Sequence, residues 1–150
     1  MKESPQDRKL DDILRSSRLV AGGFMGVDRR DVHEVIDADA GALAGLGLAK
    51  EQLAGRMRQI TELAKRGLGT WIEIDRNLQA KVDEARGRLV CPWPHPGRFS
   101  KRITTVRVMQ TGACIRWSDL NVHLIGEHGF FGGKSSDFRV EPAELVRLIF

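Results

Sequence analysis

The chain has 150 residues, 41% apolar and 29% charged, with 24 Lys and Arg against 20 Asp and Glu for a formal net charge of +4. That size and balance fit one globular core, exclude a disordered or fibrous chain, and contain no run near the ~18 consecutive apolar residues of a membrane span. The opening MKESPQDRKLDDIL has no apolar stretch of signal-peptide type, so a cytoplasmic location is expected, with Cys91 and Cys114 as reduced thiols rather than a disulfide.

Residues 1–9 are polar and read as a flexible tail before a single α+β domain over 10–150. Leu10, Ile13, Leu14, Ser17 and Val20 keep a helical spacing until Gly22 and Gly23 interrupt it. Asp28 is expected to cap a second helix with a buried stripe of Val32, Val35, Ile36, Ala40 and Leu43, ending near Gly45 or Gly47. In the third helix Leu53, Met57, Ile60, Leu63 and Ala64 form the stripe, and Arg56, Arg58, Gln59, Lys65 and Arg66 lie elsewhere. Gly67 suits the left-handed cap position.

The period then drops to two. Ile72 and Ile74 alternate with polar residues, as do Leu78, Ala80 and Val82, with Arg76-Asn77 as the turn between them. A third strand is expected from Arg88 to Cys91, ended by Pro92, Pro94 and Pro96 because proline cannot feed a central ladder. Thr104–Gln110 and Ala113–Trp117 read as another hairpin. Ser118 caps a helix over Asp119–His128 that stops at Gly129, and Glu141-Pro142 opens a last helix through Leu148. The expected fold is therefore α+β: an N-terminal helical region of about three helices, an antiparallel sheet of about five strands, and two short C-terminal helices.

Charge is unevenly distributed. Residues 31–49 hold Asp31, Glu34, Asp37 and Asp39 and no Lys or Arg, whereas residues 85–118 hold Arg86, Arg88, Arg98, Lys101, Arg102, Arg107 and Arg116 and no acid. The segment from Cys91 to Arg102 adds Trp93, His95 and Phe99 to three prolines and a glycine. An indole there can stack on a planar ligand while nearby bases neutralise phosphates. The leading functional expectation is a module binding nucleic acid or a phosphorylated ligand through the basic, aromatic-containing loop and hairpin at residues 86–116, with Trp93, His95, Arg98, Lys101, Arg102 and Lys134 as the binding residues.

The alternatives are a small enzyme and a protein-interaction module, with self-association left open. Cys91 with His95 or His123 supplies a nucleophile and base for the enzyme. No metal-ligand set and no cofactor are expected. An extended, proline-rich path would put the Cα atoms of Cys91 and His95 ~12 Å apart, and His123 and His128, five residues apart on one helix, point about 140° from each other. Gly133-Lys134-Ser135 matches the end of a phosphate-binding loop. The leading glycine of that motif falls on His128, however, and a helix precedes the loop where a strand is required.

The order of acidic helix, turn, basic helix and hairpin over residues 28–84 resembles winged helix-turn-helix proteins. That resemblance implies DNA binding with Arg56, Arg58 and Gln59 facing the groove and Arg76 at the wing tip. It rests on element order rather than a residue motif, and the acidic helix counts against close approach to DNA.

Overall fold

The computed structural model describes residues 4–17, 19, 20 and 22–150. Among the described residues, five α-helices and one four-stranded antiparallel sheet make an α+β fold, with helices before and after the sheet. Helix α1 spans Pro5–Arg15 and opens with a capping box between Ser4 and Asp7, so helix begins inside the segment expected to be a tail. Residues 1–3 of that segment lie outside the described residues. Helix α2, Val32–Gly45, is capped by Asp31 rather than Asp28, because the Asp31 carboxylate accepts from the Glu34 amide. Its buried stripe contains Asp39 where Ala40 was expected, since Arg139 reaches that carboxylate through both terminal nitrogens. Helix α3, Lys50–Ala64, runs into a 3-10 turn over Lys65–Gly67, and exposed Leu68, not Gly67, takes the left-handed conformation (φ 50°).

The sheet is a meander in the order β1 (Ile72–Asp75), β2 (Leu78–Val90), β3 (Arg98–Val108), β4 (Cys114–Ser118). Four strands form where five were expected because two of the expected strands are halves of β2. The ladder slips between Ala85 and Arg88, where Ala85 pairs with Lys101 and Arg88 with Ser100. Arg86 and Gly87 are the inserted residues of this bulge, and Gly87 adopts φ 98°, which L side chains rarely reach. An insertion of that kind breaks the two-residue alternation that identifies a strand.

Helix α4, Asp119–His128, has its Ser118 cap and its left-handed Gly129 as expected, and α5 covers Pro142–Ile149. Two apolar clusters flank α4. Val122 and Ile125 join Met57, Ile60, Val106, Trp117, Phe131 and Leu145 under the sheet. Leu120 and Leu124 join Leu14, Phe24, Met25, Val35, Cys91 and Phe130 in a second cluster, against which Leu89, Trp93 and Phe99 pack. Within the first cluster Thr61 satisfies the polar edges, bonding Thr104 at 2.7 Å and accepting from the Trp117 indole at 3.0 Å.

Candidate metal centre

Strand β2 delivers Cys91 to the edge of the second cluster, where the residue is 3% exposed. Pro92, Pro94 and Pro96 lack amide hydrogens, so the β2–β3 ladder opens there into a loop over residues 91–97. The loop does not stay extended. The His95 amide donates to the Trp93 carbonyl at 2.8 Å, a three-residue turn that folds the chain back and carries His95 towards α4. Trp93 lies flat on the His128 ring at 4.2 Å and 8°, and Phe99 stacks on His123 at 4.4 Å.

The result is a cluster of four possible ligands, Cys91, His95, His123 and His128, whose donor atoms all lie within 4.8 Å of one another. Three separations are tighter. His95 Nε2 is 3.1 Å from His128 Nε2 and 3.2 Å from His123 Nε2, and Cys91 Sγ is 3.5 Å from His128 Nε2. A tetrahedral zinc site with Zn–N near 2.05 Å and Zn–S near 2.3 Å has edges of about 3.3 Å between nitrogens and about 3.6 Å between sulfur and nitrogen. Three of the cluster's six edges already have the lengths of that coordination sphere, and all six lie within 4.8 Å.

Hydrogen positions point the same way. His95 Nδ1 lies 3.0 Å from the Pro96 carbonyl, which can only accept, so Nδ1 carries the proton and the lone pair of Nε2 faces the cluster. That lone pair meets two other imidazole nitrogens and can accept only one well-formed hydrogen bond, whereas a central cation would serve every nitrogen at once. Burial, reinforced by the neighbouring imidazoles, holds His128 down to about 4 and lowers His123, leaving both neutral at pH 7 in the form that binds metal. Burial pushes the Cys91 thiol up. A nucleophilic cysteine needs the opposite shift.

Cys91, His95 and His123, named from the sequence as catalytic candidates, therefore converge, together with His128. Two physical features bring the donors closer than the sequence spacing suggests. The proline-rich loop turns back instead of running straight, and the rings of His123 and His128 close to 5.1 Å at the end of α4 despite their angular offset.

The six residues proposed for anion binding do not form one site. Trp93 and His95 wall or join the histidine cluster, and Arg98 and Lys101 are exposed on strand β3. Arg102 is held between Glu84 and Asp119 at 2.8 Å each. Lys134 belongs to a separate loop whose amide bonds Asp28 and whose neighbour Gly133 presses on the Met25 backbone, where a Cβ would come within 2.2 Å of a carbonyl oxygen. That loop packs against the segment around Met25 and Asp28. Arg56, assigned to a DNA groove by the winged-helix resemblance, instead bonds Gln59, Asp75 and the Ile149 carbonyl.

One sequence signal could have found the centre. Cys91-x3-His95 and His123-x4-His128 are two ligand pairs with the spacings common in structural zinc sites. Comparison of the chain with protein-family models, with curated proteins and with solved structures returns no match.

Proposed function

We propose that this chain is a zinc-binding protein that coordinates the ion through Cys91 Sγ and the Nε2 atoms of His95, His123 and His128. The observation that carries the reading is the agreement of the three short donor separations with the edges of one tetrahedron. One thiolate and three imidazoles suit zinc among the common divalent ions, and hard, oxygen-seeking calcium or magnesium would not choose them. Four protein ligands leave no open position for water, so the ion acts as a clamp rather than a hydrolytic centre. It pins the proline loop to the end of α4. Cys91 with His128 would also be a nucleophile and base by distance, but burial pushes the thiol away from the thiolate a nucleophile needs, whereas a bound cation would itself deprotonate a coordinating thiol.

The test is metal content. Protein purified without chelators, and with any histidine tag removed, is expected to hold zinc at one ion per chain. Cys91→Ser and His128→Ala should weaken zinc binding by on the order of 100-fold or more, because even residues that merely orient ligands cost 10–100-fold. His33→Ala is the control, since His33 pairs with Asp7 away from the cluster and should retain zinc. Metal-free protein that takes up no zinc on titration would end the proposal.

A further inference from the structure

Beyond the metal centre, we infer that the two-stranded arm formed by the distal halves of β2 and β3 is a binding surface for double-stranded DNA, with Arg86, Arg88 and Arg98 contacting backbone phosphates and Lys101 on the opposite face. Strand β1 pairs β2 only as far as Ala80, and β4 pairs β3 only from Ile103, so beyond those points the sheet narrows to a ribbon of two strands. All four bases are exposed there. Among the described residues none of the four has an ion-pair or hydrogen-bond partner for its side chain. Arg102 at the base of the ribbon, by contrast, is neutralised by two carboxylates.

The register assigns faces. Leu89 pairs with Phe99, and both turn into the second apolar cluster, so Arg88, opposite Ser100, and Arg98, opposite Val90, share the other face. They are diagonal neighbours, about 7–8 Å apart at their Cα atoms. Lys101, two residues from Phe99, lies on the opposite face with Leu89, over Gly87 at the bulge, where a Cβ would meet its side chain at 3.5 Å. No acid occurs from residue 85 to 118, and Glu84 at the base of the ribbon is paired with Arg102.

The type of partner follows from what the ribbon lacks. Single-stranded nucleic acid is usually held by exposed rings on which bases stack, and a membrane interface by exposed aromatic side chains. Here Trp93 and Phe99 are both stacked on histidines of the cluster. What remains outside is charge on a narrow ribbon, and the B-DNA major groove admits a two-stranded ribbon of this kind.

Fluorescence anisotropy with a labelled mixed-sequence DNA duplex of about 20 base pairs tests the inference. Binding is expected at low salt, with log K falling against log salt at a slope of about −2.7, or about −0.9 for each of three phosphates. Arg88→Gln/Arg98→Gln should reduce that slope by about 2 and weaken binding at least tenfold, whereas Lys101→Gln, on the opposite face, should bind as wild type. Thermal melting checks that each variant is folded. Arg58→Gln, an exposed arginine on α3, should bind as wild type. No binding at about 50 mM salt, wild-type binding by Arg88→Gln/Arg98→Gln, or tighter binding to the single strand or to acidic phospholipid vesicles would overturn the inference.

Discussion

Asp28 illustrates how a residue with a plausible local role can serve a distant one. Its carboxylate accepts from the Arg30 side chain at 2.6 and 2.9 Å, from the Arg30 amide and from the Lys134 amide, tying the turn at residues 28–30 to the glycine-rich loop after α4. The Arg30 guanidinium holds the carboxyl well below the usual carboxylate range. A folded pKa below the unfolded value contributes stability that is fully present above the unfolded value, about 3.9, and lost as pH falls towards the folded one. Asp28→Asn should therefore cost about 2–3 kcal/mol near pH 7, because buried amides lose a charged acceptor. Denaturant unfolding should show that difference shrinking below about pH 4. A gap between the two proteins that stays constant down to pH 2 would contradict the assignment.

At the scale of elements, legibility depended on how local the determinants were. Helix α4 could be bounded from Ser118 and Gly129 because caps act within one turn of the chain. The long β2 could not, because Arg86 and Gly87 shift the register and split one strand into two apparent ones. The proline loop misled for a different reason. Three prolines favour extension, yet one hydrogen bond from His95 to Trp93, supported by the Trp93 stack on His128, overrides that preference. Trp93 is thus a positioning residue for the centre. Trp93→Ala should lower zinc affinity by about 10–100-fold, as loss of a group orienting a ligand does, with Trp93→Phe recovering part of it. Competition against a chromophoric chelator reads the change, and unaltered affinity in Trp93→Ala would remove the loop's geometry from the account.

For the whole molecule, α4 is the organising element. One side faces the core under the sheet and the other faces the cluster built from α1, α2 and the loops, while its last turn presents His123 and His128 to the incoming proline loop. The basic ribbon is thereby held at both ends, by the sheet at its base and by the four-ligand centre at its tip. Fold class was readable from the order of periodicities. The centre was not, because its two halves lie 28 or more residues apart and meet only through tertiary packing. The central claim is that Cys91 and three histidines form one tetrahedral site, and cobalt(II) substitution of the metal-free protein tests it most directly. The account predicts the intense visible bands of a tetrahedral ion together with a thiolate-to-cobalt charge-transfer band that disappears in Cys91→Ser. The weak bands of an octahedral ion, or a charge-transfer band surviving in Cys91→Ser, would contradict it.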